Sequence, residues 1–141
     1  MMQNRRVQSD MAYTIRLEKE HEYVRLTFLG MVTRGVLDRA LEDIYHELIR
    51  NGWYKIFIDT TRGDIVLSPT ELYVFARMFR SKFLVDAATA VLARPDQIGV
   101  VRFIENMTYN RMDLRGYTDE ETAHKWLVRR SRHARESARA E

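Results

Sequence analysis

The sequence predicts one α/β domain in which a β-hairpin is followed by three α-β units and a C-terminal helix, on a mixed, mostly parallel five-stranded sheet. Three observations predict it. Apolar and polar residues alternate with period two between positions 13 and 28, the pattern of half-buried strands. Beyond them, stretches with apolar residues at steps of three and four alternate with short apolar runs. Helix-start signals stand at the junctions, and strands that alternate with helices imply right-handed parallel crossovers.

In chain order, Tyr13, Ile15 and Leu17 form the apolar side of the first strand and Val24, Leu26 and Phe28 that of the second, with the charged segment 18–22 as their turn. Val36, Leu37, Ala40, Leu41, Ile44, Tyr45, Leu48 and Ile49 recur at steps of three and four and are expected to line one side of the first helix. Thr33 suits its N-cap and Gly52 the left-handed position past its end. Residues 54–59 form a short apolar strand. Ser68 and Glu71 read as a capping box with Pro69 at the first helical position, and Leu72, Phe75, Ala76 and Phe79 supply the stripe of the second helix. Residues 87–93 are the next strand, 97–111 a third helix and 112–117 the last strand. Thr118 and Glu121 read as a second capping box, opening a final helix docked by Ala123, Trp126 and Leu127.

A chain of 141 residues has room for one domain with a real core and not comfortably for two, and we place that domain at 11–128. Segment 1–10 is expected to be flexible, and 129–141 to be an arginine-rich tail. The formal charge of +3 sits mostly on that tail, where Arg129, Arg130, Arg132, Arg135 and Arg139 face only Glu136 and Glu141. The tail lacks the interleaved aromatics that nucleic-acid binding normally uses, so a solubilising end is the expectation and no nucleic-acid partner is assigned. No stretch approaches the roughly 18–20 apolar residues of a membrane span. The polar start argues against a secretory leader, and cytoplasmic location is the expectation. Cysteine is absent, which rules out disulfides, thiolate metal sites and cysteine nucleophiles together.

Catalytic patterns are missing as well. The sequence holds no Gly-x-Ser-x-Gly elbow and no phosphate-cradling glycine loop. His21, His46, His124 and His133 show no metal-ligand spacing, so neither metal nor cofactor is assigned. What remains is the loop after the 54–59 strand, at the carboxyl end where α/β sheets usually place ligands. Asp59, Thr60, Thr61, Asp64 and Ser68 are its candidate ligand or switch residues. Two carboxylates among threonines and a glycine could hold a hard cation or a phosphate, but a plain polar loop with a glycine turn is the favoured expectation.

The strand faces carry one more expectation. Lys55, Phe57 and Asp59 alternate with Ile56 and Ile58, Arg25 points with Thr27, and Asp113, Arg115 and Tyr117 share one side. A parallel sheet covered on both faces reads as continuous apolar runs, so this one is expected to be covered mainly on one face. Arg25, Phe57, Asp113, Arg115 and Tyr117 then form a candidate partner surface, for a homodimer or another protein.

The layout resembles the STAS domain, the fold of the anti-sigma-factor antagonists and sulphate-transporter tails, and more closely the SpoIIAA-like group of small bacterial proteins. The residues that carry the resemblance are Ile58-Asp59, then Leu67-Ser68-Pro69-Thr70-Glu71, and the run DEETAHKWL at 119–127, within a match over 13–127. In the antagonists an Asp-Ser-Ser-Gly motif opens the second helix, and a serine in it is phosphorylated by a partner kinase. Counted from Asp59 the motif falls on Leu67, Ser68, Pro69 and Thr70, so proline stands at the usual phosphoacceptor. The resemblance implies a non-enzymatic regulatory module that acts through protein contacts, without that serine switch. The alternative is a carrier or sensor of a small apolar or lipid-like ligand, held by Phe75, Met78, Phe79, Phe83 and Met107.

Overall fold

Alternation of apolar and polar residues builds the first two long strands, β2 (Tyr13–Glu18) and β3 (Tyr23–Phe28), which pair antiparallel with Tyr13 opposite Phe28 and Glu18 opposite Tyr23. The turn between them holds Glu22 at φ 57°. From β3 the sheet grows through parallel neighbours β5 (Lys55–Asp59), β7 (Ala88–Leu92) and β8 (Asp113–Tyr117). These are the five expected strands. The computed structural model describes residues 5–7, 12–83, 87–107 and 113–131. Within the segment expected to be flexible, β1 (Arg5–Val7) pairs antiparallel with β2 and makes the order β1-β2-β3-β5-β7-β8. A small parallel pair, β4 (Met31–Val32) with β6 (Asp64–Ile65), stands outside the main sheet. Two-residue strands carry no period, which is why the sequence did not announce it.

The helices follow their end signals. In α1 (Arg34–Asn51) Thr33 Oγ1 accepts from the Val36 N–H at 3.3 Å, and Gly52 takes the left-handed conformation at φ 69°. In α2 (Pro69–Phe83) the capping box closes in both directions. The Ser68 N–H donates to Glu71 Oε1 at 2.9 Å, and the Glu71 N–H donates to Ser68 Oγ at 3.1 Å. The helix α3 spans Ile98–Met107, so the expected continuation to 111 lies outside the described residues. In α4 (Glu120–Arg129) the cap is Asp119, not Thr118. The Asp119 carboxylate accepts from both the backbone N–H and the hydroxyl of Thr122, at 2.9 and 2.7 Å. A negative charge there also meets the positive end of the helix dipole, which favours it over a threonine hydroxyl.

Two cores result. On one face of the sheet, Ile15, Val24, Leu26, Phe28, Ile56 and Val91 pack under α1, α2 and α3. On the other, Tyr23, Phe57, Ala88, Ala90 and Leu92 pack under Ala123 and Leu127 of α4. The second core corrects the expectation of an open face. Phe57 is wholly buried, and the Arg25 and Asp113 side chains are nearly so, at 13% and 11% exposure. Of the five residues assigned to a partner surface, Arg115 is exposed and Tyr117 half-buried. The charges that suggested exposure instead ring the apolar patch and pair with α4. The small residues Ala88 and Ala90 let a short helix approach the sheet.

Candidate functional site

The loop after β5 is built from Asp59 onward. Asp59 is buried, and its carboxylate is fully engaged: Oδ1 accepts from the Thr61 N–H at 2.9 Å and the Thr61 hydroxyl at 2.6 Å, and Oδ2 accepts from Arg25 Nη2 at 2.9 Å. Thr60 is also buried. Its N–H donates to the Leu92 carbonyl at 2.9 Å, and its hydroxyl lies 3.0 Å from that carbonyl and 2.9 Å from Gln97 Oε1.

Two residues from the β7–α3 junction close the loop. Gln97, 4% exposed, donates from Nε2 to the carbonyls of Thr60 and Gly63 at 3.0 and 2.9 Å, and its Oε1 accepts from the Arg94 N–H at 2.9 Å. Arg94 donates from Nη1 to the carbonyls of Thr61 and Gly63 at 2.9 and 3.0 Å and reaches Asp64 and Asp96 with its other nitrogens. The hydrogen bond from Arg94 holds the Asp96 carboxyl below its ordinary value. Gly63 packs so closely that a Cβ would lie 2.9 Å from the Gly30 carbonyl and 3.0 Å from Phe28 Cβ. Asp64 keeps a largely exposed carboxylate, and Ser68 serves as the cap of α2. The structure thus draws Asp59, Thr60 and Thr61 into one hydrogen-bonded knot with Asp64 at its rim through Arg94, while Ser68 bonds within the cap of α2. Sequence reading missed Arg94 and Gln97, because nothing in a polar turn shows which carbonyls its side chains will reach.

A second cluster joins the sheet to α4. Arg25 pairs with Asp59 on one side and Glu120 on the other, at 2.9 and 3.0 Å, with its guanidinium 4.5 Å from the centre of the Phe57 ring. The Tyr23 hydroxyl and His124 Nδ1 are hydrogen-bonded at 3.0 Å, and the His21 ring stands edge-on to His124 with centroids 5.1 Å apart. Burial, reinforced by Glu18, raises the Tyr23 pKa. At the other end of α4, Lys55 Nζ donates to the Val128 carbonyl at 2.9 Å, and Arg130 forms a two-point pair with Asp113 at 2.8 and 2.9 Å. The histidine neighbours are about a hundred positions apart, which no spacing rule detects. Among the described residues no group of three or more His, Asp or Glu is placed to hold a metal ion.

Between the sheet and α1, α2 and α3 lies an apolar cavity of about 60 Å³, bordered by Leu26, Phe28, Leu41, Phe75, Phe79 and Val101 among others. Phe75 and Phe79 face it as the carrier reading expects, whereas Met78 is 37% exposed and the Phe83 side chain lies outside the described residues. No helix among the described residues is long and apolar enough to cross a membrane.

No protein-family model and no curated protein matches the sequence. Solved structures match the fold. The anti-sigma factor antagonist SpoIIAA in its unphosphorylated form is similar with a TM-score of 0.54 at 15% identity, over 82% of this chain and 97% of that one. An anti-sigma factor antagonist from Mycobacterium paratuberculosis is similar with a TM-score of 0.53 at 17% identity, over 86% and 98%. An uncharacterized DUF3478-family protein with a SpoIIAA-like fold, from Shewanella loihica, is similar with a TM-score of 0.52 at 16% identity, over 82% and 92%. The chain has the SpoIIAA-like fold that the resemblance implies.

Proposed function

We propose that this chain is a cytoplasmic regulatory module that works by protein–protein contact, as a homodimer, and not as an enzyme. The observation that carries the reading is the state of the loop after β5. Its buried carboxylate, hydroxyl and carbonyls are consumed by Arg25, Arg94 and Gln97, so the usual ligand position of an α/β sheet is filled by structure. Large apolar side chains stand exposed close by in the chain: Met31 on β4, Val66 after β6, and Tyr73 and Met78 on α2. Arg34 at the start of α1 reaches Met78 Sδ at 3.2 Å. Exposed large apolar groups are the kind of surface that protein contacts use when they gather into a patch.

This reading is without the serine switch of the antagonists: in the register the resemblance implies, Pro69 falls on the acceptor position, and the Ser68 hydroxyl accepts from the Glu71 N–H as the helix cap. Light scattering and in-cell cross-linking of the wild type beside Met31→Asp and Tyr73→Asp test the proposal. A dimeric mass and a cross-linked protein that either substitution removes support it. A strict monomer whose cross-links are unchanged by both substitutions overturns it.

The apolar cavity favours a second reading, the carrier of a small apolar ligand. Its volume of about 60 Å³ is well under the ~150 Å³ that accepts benzene, so a lipid-sized guest requires the helices around it to move outward. A co-purifying mass in native mass spectrometry supports this reading, and its absence removes it.

A further inference from the structure

Two open grooves adjoin where β8 meets α4, sharing Tyr117 and Thr122 as a common wall. One, of about 560 Å³, carries Arg102 and Arg115 at its border, and the other, of about 410 Å³, carries Lys125, Trp126 and Arg129. Thr122, Trp126 and Arg129 stand at steps of four and three along α4, so a single stripe of that helix forms one side.

The charge along this border is unbalanced. The cations are Arg130 and the four just named, against only two carboxylates, Glu105 and Asp119. Both carboxylates are already engaged, Glu105 by Arg102 and the Gly116 N–H and Asp119 by Thr122. Arg130 is held by Asp113, and Lys125 by Glu121 at 3.3 Å. Arg115 and Arg129 are exposed, and neither has a carboxylate partner among the described residues. Two aromatic rings stand between these cations. Tyr117 and Trp126 are both half-buried, with ring centroids 6.1 Å apart, and the Arg130 guanidinium lies 5.0 Å from the centre of the Trp126 ring. From position 129 onward the sequence has no Phe, Tyr or Trp among its arginines, and the fold sets two aromatics beside the first of them.

We propose that the joined grooves bind single-stranded nucleic acid, with phosphates on Arg115 and Arg129 and an unpaired base stacked against Trp126 or Tyr117. Cations that follow a phosphate backbone, interleaved with rings that accept any base face, are what a single strand requires. An acidic peptide or an anionic membrane would use the cations and leave the ring pair without a role. The grooves share no residue with the surface around Met31 and Tyr73, so this inference does not rest on the protein contact proposed above.

The test is fluorescence anisotropy of the full chain with labelled oligo(dT) and oligo(rU) of about twelve nucleotides over a salt series, with circular dichroism to confirm that each variant folds. Binding that weakens with salt and quenches tryptophan fluorescence is expected. The two oligonucleotides show whether the 2′-OH is read, and binding of either supports the proposal. In Arg115→Gln/Arg129→Gln the slope of log K against log salt should shrink by about 1.4, since each single-strand phosphate contact contributes ~0.7. Trp126→Phe should abolish the quenching. No binding of either strand overturns the proposal, including the case in which phosphatidylserine vesicles bind in their place. So does a slope unchanged in the Gln variant, quenching that survives Trp126→Phe, or a duplex of equal length bound as tightly. If the double variant does not fold, Arg129→Gln alone is held to half the change in slope.

Discussion

Gln97 and Thr60 grip each other twice: Gln97 Nε2 donates to the Thr60 carbonyl at 3.0 Å, and the Thr60 hydroxyl lies 2.9 Å from Gln97 Oε1. Both are buried, so neither has water as an alternative partner. One amide thereby fixes the loop after β5 to the start of α3.

Removing that amide leaves the Arg94 N–H without its partner and takes one of two donors from each of the carbonyls of Thr60 and Gly63, which keep the Gly63 N–H and Arg94 Nη1. Gln97→Leu is expected to destabilise the domain by about 2 kcal/mol, since a group left unsatisfied inside the fold costs roughly 1–3 kcal/mol. Gln97→Glu keeps the acceptor and loses both donors, so it is expected to be destabilising too. Urea denaturation gives both values, and a change under about 0.5 kcal/mol for Gln97→Leu would show that the grip is dispensable.

Arg25 is the shared partner of Asp59 and Glu120. Arg25→Ala leaves the buried Asp59 carboxylate with only Thr61, and a loss of about 3 kcal/mol is expected from breaking a buried pair on one side. Faster amide exchange at the start of α4 is expected to accompany it. In a double-mutant cycle with Asp59→Asn, the combined loss should be smaller than the sum of the single ones. Simple additivity would mean that the two side chains act independently.

Phe57 separates the expected surface from the observed one. Being fully buried between β5 and α4, it should lose about 3–5 kcal/mol on replacement by alanine. An exposed partner residue would lose almost nothing in stability and would act on association alone. Thermal denaturation beside light scattering distinguishes the two.

The pH profile has one predicted edge on each side. Hydrogen bonds from Thr122 lower the Asp119 pKa below its ordinary 3.8, so the cap's contribution is complete above that value and is lost as pH falls through the folded-state pKa. Burial raises the Tyr23 pKa above 10.0, so its contribution is complete below that value and is lost as pH rises through the folded-state pKa. Lys55 works against the tyrosine. Burial lowers its pKa from 10.5, so stability increases as pH climbs through the window between the folded-state pKa and that value. Stability curves for Tyr23→Phe and Asp119→Asn isolate the first two contributions. An alkaline limb that Tyr23→Phe does not alter would show that the tyrosine has no part in it.

What the sequence determined by itself was the order of the elements and the ends of most helices. Period two at Tyr13–Glu18 and Tyr23–Phe28, period 3.6 in Arg34–Asn51, and caps such as Thr33 and Ser68 act within a few residues of themselves, so a one-dimensional pattern carries them. Only the tertiary structure decided which face of the sheet is wet and what the loop after β5 does. Lys55, Phe57 and Asp59 read as one side of a half-exposed strand, yet α4 covers that side, with Arg25 joining Asp59 to Glu120 from 95 positions away. The candidate loop was legible as Asp59, Thr60, Thr61 and Asp64. Its closure by Arg94 and Gln97 was not, since that depends on β7 lying beside β5. A charged residue in a strand shows only that it needs a partner. Whether water, another protein or its own last helix supplies that partner is settled by packing across the chain.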